Sequence, residues 1–197
     1  MRASLLTLLF LFAALPLPAS DLPQDSAEHD DIDVSVAFDA VEQSGSAHAS
    51  VRIHAPREVV WSLITSCAEA LGLVPGLESC EILQTAPDRS WQRIRHVLRY
   101  SWYMPRLTYD IRAAYQPPSR VSIERVSGDL RMLRGSWELQ RDGDYTIAHY
   151  SVELAPGFWV PHWIVRVGLR RDLPKMLRAL RARAEFIRSR EPAQAPE

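Results

Sequence analysis

The pattern of hydrophobic and polar residues is clearest near the end of the chain, where it predicts one long amphipathic helix. Between Pro161 and about Arg190, apolar residues recur every three or four positions, which is the period of one helix face. They are Ile164, Val167, Leu173, Leu177, Leu180, Ala184 and Ile187. Pro161 suits the first helical turn, whereas Pro174 should bend the axis. A helix with such an apolar face needs a matching surface elsewhere in the chain.

The preceding residues supply that surface as alternating, strand-like segments. Residues 32–53 predict a hairpin, 55–64 a helix with Pro56 in its first turn, and Ala68–Leu73 a short helix or coil. Six further strands are then predicted, separated by turn residues such as Asp142-Gly143. These strands are 79–86, 91–102, 107–115, 120–127, 132–141 and 144–155. The order predicts an α+β fold in which the last helix covers a curved antiparallel sheet.

The first twenty residues have the pattern of a secretory signal rather than of a folded domain. Met1-Arg2 is followed by an apolar run over Leu5–Leu15, and small residues follow near Ala19 and Ser20, where we expect cleavage. An uncleaved anchor is the alternative, but the run is short for a membrane span. We therefore expect a periplasmic or extracellular protein. Its parts are a signal peptide (1–20), a flexible lead-in (21–31), one domain (32–190) and a disordered tail (191–197).

Composition and motifs exclude several classes of function. The 197 residues are 47% hydrophobic, enough for one domain with a core, and the net charge of −1 gives no general attraction to nucleic acid. The sequence contains neither a phosphate-binding loop nor a dinucleotide fingerprint. Its histidines show no metal-ligand spacing. We expect no metal, no cofactor and no nucleic-acid partner.

The chain has two cysteines, Cys67 and Cys80. In an oxidising compartment this pair is expected to form a disulfide, which over so short a loop would stabilise the fold by about 3 kcal/mol. Two buried, unpaired thiols are the alternative.

Four segments together resemble a known superfamily. Val51–Ile64 and Leu73–Leu83 look like the opening strand, Ala-Pro helix and following turn of the START-like (SRPBCC) superfamily. Gly135–Leu139 and Thr146–Val152 look like the last two strands of its polyketide cyclase/dehydrase and ubiquinone-binding (Coq10-like) branch. The resemblance covers about residues 32–188. It implies a helix-grip fold, in which a seven-stranded incurved antiparallel sheet and a long C-terminal helix enclose an apolar cavity.

Side chains that face this implied cavity are the candidate ligand-binding residues. They are Ile94, His96, Leu98, Tyr100, Trp102, Ile111, Trp137, Tyr150, Val152, Leu173, Met176, Leu177 and Leu180. His96 and Tyr100 share one face of strand 91–102, where they could orient a ligand or act as an acid/base pair, or could simply be hydrogen-bonded core residues. Arg125 would need a partner or an anionic ligand head if it faces inward with Val121 and Ile123.

Two loops are candidate gates to the cavity. One is Leu71–Leu77, with Leu73, Val74 and Leu77, and the other is Gly157–Trp163, with Phe158, Trp159 and Trp163. We expect them to lie near each other at one end of the helix, with the disulfide anchoring the first. Aromatic rings beside a basic helix also suit transient contact with a membrane surface; alternatively, they plug the end of the sheet.

These observations lead to three hypotheses about function. The first is a monomeric, exported, non-catalytic binder or carrier of a hydrophobic small molecule such as a lipid, quinone or isoprenoid. The second is a polyketide cyclase/dehydratase-like enzyme that uses His96 and Tyr100. The third is a protein-interaction module, for which an exposed apolar patch remote from the cavity would be the sign.

Overall fold

The computed structural model describes residues 32–99 and 105–190. The signal peptide, lead-in and tail predicted from the sequence, together with Tyr100 and Trp102, lie outside these ranges. Within them the chain forms one antiparallel sheet and three helices.

The sheet has eight strands in the described part of the chain, where the resemblance implied seven. Their order is β1-β2-β8-β7-β6-β5-β4-β3, and every neighbouring pair is antiparallel. The strands are β1 (Ile32–Asp39), β2 (Ser44–Ile53), β3 (Leu77–Thr85), β4 (Trp91–Leu98), β5 (Leu107–Gln116), β6 (Arg120–Gly128), β7 (Leu130–Asp142) and β8 (Tyr145–Pro156). The extra strand is explained by the N-terminal hairpin, because β1 packs apolar side chains such as Val34 and Val36 against the core.

One strand prediction is tested only in part. Strand 91–102 was expected, and β4 is described from Trp91 to Leu98. The Arg99 N–H donates to the Gly76 carbonyl, 2.8 Å away, just before β3, so contact with the neighbouring strand continues to Arg99. The last three residues of the predicted strand lie outside the described ranges.

The helices are α1 (Arg57–Ile64), α2 (Cys67–Leu73) and α3 (His162–Arg190). Pro56 and Pro161 were expected inside the first turns, but each immediately precedes its helix. There its carbonyl can still accept a helical hydrogen bond, as from the N–H of Ile164 at 2.9 Å. α3 continues through Pro174. No helix in the described ranges is long and apolar enough to cross a membrane.

Close packing of α3 on one side of the sheet builds the core. The inner face of β2 carries small or branched side chains, including Ala47 and Val51, which are almost fully buried. A Cβ added at Gly45 would meet Val165 Cγ1 at 2.6 Å, so a side chain there would push the helix away. α3 accordingly lies against β1 and β2, and Leu177 is completely buried.

Polar contacts hold the C-terminal half of α3. Arg183 Nη2 donates to Glu69 Oε1 of α2 at 2.8 Å, and Glu185 Oε1 accepts from the backbone N–H of His54 at 3.0 Å. Arg188 donates to the carbonyl of His54 at 3.3 Å. Exposed ion pairs contribute little free energy singly, but these contacts fix where the helix ends relative to α1 and α2.

Candidate ligand-binding site

The concave face of the sheet is only partly covered by α3. The helix packs on β1 and β2, whereas inward-facing residues of β4, β5 and β6 remain partly exposed. They are His96, Tyr109, Tyr115, Ile123 and Arg125. A concave surface with apolar walls and a few polar groups is the usual form of a small-molecule site, so this is the candidate site.

The predicted lining residues divide into two groups. Ile94, Leu98 and Ile111 lie on the inner face of β4 and β5, with Ile94 directly opposite Ile111. Trp137 and Tyr150 are also directly opposite each other, and their ring centroids are 4.5 Å apart. These residues form the walls beside the uncovered region.

The other group belongs to the packed core beneath α3. Val152, Leu173 and Met176 are buried, and Leu177 and Leu180 are 0% and 1% exposed. A ligand could touch the last two only if the helix moved, because a close-packed interior leaves no free volume beside them. The sequence placed them on the correct face of the helix but could not show how closely β2 approaches it.

His96 meets Tyr109 across two strands. The two residues are register partners, and His96 Nδ1 lies 3.4 Å from the Tyr109 hydroxyl oxygen. Sequence reasoning paired His96 with Tyr100 along its own strand and missed Tyr109. The signal available was the alternation of Tyr109 with Ile111 and Ala113, which places all three on one face.

Burial lowers the pKa of His96 to about 4. Removing the imidazolium from water is costly, so the ring is neutral at pH 7. It can exchange hydrogen bonds with Tyr109 or with a ligand, but it is a weak base there. A general acid/base works best with a pKa near the operating pH, which His96 does not have.

The opposite end of the concave face carries a second polar pair. The Tyr115 hydroxyl donates to Gln92 Oε1 at 2.8 Å, and burial raises the pKa of Tyr115 to about 12. The ring of Trp61 from α1 meets Tyr115 edge-on, with centroids 6.1 Å apart. These contacts join α1 to the sheet and help to close this end of the face.

β3 begins and β8 ends at the same end of the sheet, but β4, β5, β6 and β7 lie between them, so the expected closeness of the two gate segments stays a prediction. Leu73 and Leu77 are buried, and Val74 is partly buried. The predicted disulfide between Cys67 and Cys80 is present, with Cα atoms 5.4 Å apart, and links the start of α2 to β3. The contact between Glu69 and Arg183 holds α2 against the later turns of α3. The gating role of the two segments stays a prediction.

Exposed apolar side chains are concentrated at this same end. Trp159 is 84% exposed, Trp163 58% and Val41, in the β1–β2 turn, 89%. Phe158 and Val167 are also exposed. Four cationic side chains are exposed farther along α3, namely Arg166, Arg170, Arg171 and Lys175. We call the five apolar residues, with these four cations, the aromatic end.

The outer face of the sheet is different in character. A depression of about 410 Å³ lies there over β1, β2, β8 and β7, with polar groups along much of its lining. Its lining includes His48, His149, Glu138, Ser136 and Ser151, and the hydroxyls of the two serines are 2.9 Å apart. Residues 32–99 and 105–190 contain no group of three or more His, Cys, Asp or Glu side chains able to hold a metal ion. The polar lining makes the outer-face depression a poor site for an apolar molecule.

Comparison with known proteins gives one family match. A family model described as "Polyketide cyclase / dehydrase and lipid transport" matches residues 53–181. No curated protein is similar enough in sequence to count as a relative.

Solved structures share the fold at low sequence identity. A STAR-related lipid transfer protein from Xanthomonas axonopodis is 18% identical, with 79% of this chain and 94% of that chain covered and a TM-score of 0.69. The Zhui aromatase/cyclase from Streptomyces sp. R1128 is 16% identical, with coverages of 75% and 97% and a TM-score of 0.60. The lipid transfer and protein localization domain of human StarD13 is 13% identical, with coverages of 79% and 85% and a TM-score of 0.66.

Proposed function

Because the chain belongs to the polyketide cyclase/dehydrase and lipid transport family, we propose that it binds or carries a hydrophobic small molecule. The ligand class is a lipid, quinone or isoprenoid-like compound. It lies on the concave face, in the region of β4, β5 and β6 that α3 leaves uncovered. The protein's role is binding without catalysis.

The observation that carries this proposal is the incomplete cover of the concave face. Ile123, Tyr109 and Tyr115 face inward there and are still partly exposed. Apolar surface in a concavity favours an apolar ligand, because each methylene removed from water contributes about 0.8 kcal/mol. The low pKa of His96 supports binding over acid/base catalysis.

A pair of neighbouring substitutions tests the location of the site. Ile123→Trp would fill the concave face, whereas Ser122→Trp places the same ring on the outer face. We expect the first variant, and not the second, to lose binding of the neutral fluorophore N-phenyl-1-naphthylamine. Circular dichroism confirms that both are folded. Equal binding by the two variants would contradict the proposed site.

Mass spectrometry of an organic extract of the purified protein tests for a natural ligand. We expect a co-purifying apolar compound, released in lower yield from Ile123→Trp than from Ser122→Trp. An extract free of apolar compounds, together with absent fluorophore binding, would contradict the proposal.

A cyclase/dehydratase-like enzyme is the second candidate, favoured by the contact between His96 and Tyr109. His96→Gln separates the two functions. For a binder we expect fluorophore affinity to change by no more than a few-fold. For an enzyme, turnover of a β-polyketone thioester should fall by about a hundredfold or more, because one acid/base group contributes that much.

We also propose that the protein is exported. The signal-like residues 1–20 support this, as does the disulfide, which persists in oxidising compartments. The intact mass of the protein purified from its native host tests the proposal. A mature chain that begins near Ser20 is the expected result, and a full-length cytoplasmic chain would contradict it.

A further inference from the structure

Arg125 places a positive charge on the concave face of the sheet. Its neighbours on that face are Ile123 on its own strand and Ile111, its register partner on β5. A β-bulge at Val126 adds one residue to β6. Ser127 is consequently turned outward, where its hydroxyl contacts Asp110 at 3.1 Å, while Arg125 stays inward.

The hydrogen bonding of Arg125 is incomplete. Its Nη2 donates to the Gly128 carbonyl at 3.0 Å. Its Nε is buried and, within the described residues, has no hydrogen-bond partner. A guanidinium has five N–H donors in a fixed fork. A buried donor without a partner destabilises the fold, because it has lost its hydrogen bonds to water.

Among the described residues, the neighbouring carboxylates do not neutralise this charge. Glu124 faces outward, opposite Arg112 and Arg134. Asp110 is also on the outer face, where it is bound by Arg93 and Arg95. In the part of the chain that the structure describes, His96 and Tyr109 share the concave face with Arg125 at this end, and they can offer neutral hydrogen bonds.

We propose that Arg125 forms an anion subsite that selects amphiphiles with an acidic head, such as a carboxylate, sulfonate or phosphate monoester. The planar guanidinium fork matches an oxyanion, and the apolar walls around it suit the hydrocarbon body. This inference rests on the proposed function, because it names the chemical class of ligand for the same concave face.

Two fluorophores that share a phenylnaphthylamine body test the inference. N-phenyl-1-naphthylamine is neutral, and 8-anilinonaphthalene-1-sulfonate adds a sulfonate. We expect the wild-type protein to bind the sulfonate more tightly. Arg125→Gln should weaken sulfonate binding by about tenfold or more, the effect of losing a charge-assisted hydrogen bond, and leave the neutral probe within about twofold. Arg125→Lys keeps the charge but loses the planar guanidinium, so its affinity for the sulfonate should lie between those of the wild-type protein and Arg125→Gln.

Arg134→Gln is the matched control, since it removes the same charge from an exposed residue on the outer face. It should leave both affinities unchanged. Failure of the wild-type protein to bind either probe would overturn the proposed function itself. Two results would overturn the anion subsite alone. In the first, the wild-type protein binds the neutral probe at least as tightly as the sulfonate. In the second, the ratio of the two affinities is unchanged in Arg125→Gln. Full displacement of the sulfonate by millimolar inorganic phosphate would overturn the assignment to amphiphiles, because a free oxyanion would then suffice.

Discussion

At the scale of single residues, Asp110 is a buried carboxylate on the outer face that accepts several hydrogen bonds. It is 2% exposed and accepts hydrogen bonds from Arg95 at 2.8 Å and Arg93 at 2.7 Å. These contacts, that of Arg95 above all, lower the pKa of Asp110 to about 2. We expect Asp110→Asn to lower the free energy of unfolding by about 2 kcal/mol at pH 7, the value of charge-assisted hydrogen bonds. Urea denaturation measures it.

The pH dependence of this loss follows from the direction of the shift. The folded pKa lies below the unfolded value of about 4, so the carboxylate stabilises the fold above pH 4. Its contribution is lost as the pH falls from about 4 to about 2. The stability difference between wild type and Asp110→Asn should therefore shrink over that range. The control is Asp142→Asn, which breaks an exposed pair with Arg52 and should cost less than about 1 kcal/mol. Equal losses in the two variants would contradict the prediction.

At the scale of elements, the disulfide fastens α2 to the edge strand β3. The double variant Cys67→Ser/Cys80→Ser should lower the free energy of unfolding by about 3 kcal/mol, since the unfolded chain regains the entropy of an open loop. Hydrogen exchange in Leu71–Leu77 should become faster, and exchange in the β7–β8 pairing should change less. Equal protection of Leu71–Leu77 in the two proteins would contradict the proposed anchoring of this segment.

The elements themselves were predictable from sequence because alternation is a local signal. β6 and β8, for example, were placed to within one residue at each end. Contacts across strands were not predictable in the same way. The meeting of His96 with Tyr109 and the convergence of Arg93 and Arg95 on Asp110 depend on which residues become register partners. The register between β4 and β5 cannot be read from the alternation within either strand, and a shift of one residue would reverse every face.

At the scale of the whole molecule, the aromatic end combines three separate parts of the chain, namely the β1–β2 turn, the β8–α3 loop and the first turns of α3. We propose that it contacts an anionic membrane surface. Rings such as Trp159 would enter the interface, while each nearby cation would add about 1 kcal/mol of attraction to acidic headgroups. We expect the protein to sediment with phosphatidylglycerol vesicles more than with phosphatidylcholine vesicles.

Removing the rings distinguishes this membrane contact from nonspecific adsorption to vesicles. Trp159→Ser/Trp163→Ser should weaken vesicle binding by about tenfold or more, given the apolar area lost. Phe186→Ser is the matched control, because Phe186 is an exposed ring near the other end of α3. Equal loss in the two proteins, or binding independent of lipid charge, would contradict the proposal.

The position of β8 between β2 and β7 has a consequence for how the chain folds. β2 and β8 are distant in sequence, yet they form the pairing that joins the N-terminal hairpin to the rest of the sheet. β2 and β8 can pair only after the long segment between them has closed into a loop, which costs chain entropy before any stabilising contact forms. Folding should therefore be slow compared with that of a helical protein of this size. Until Tyr145–Pro156 has been synthesised, β2 keeps an unpaired edge beside an uncovered apolar face. An unfinished chain is consequently a candidate for strand-to-strand aggregation, and a holding chaperone would protect it at that stage.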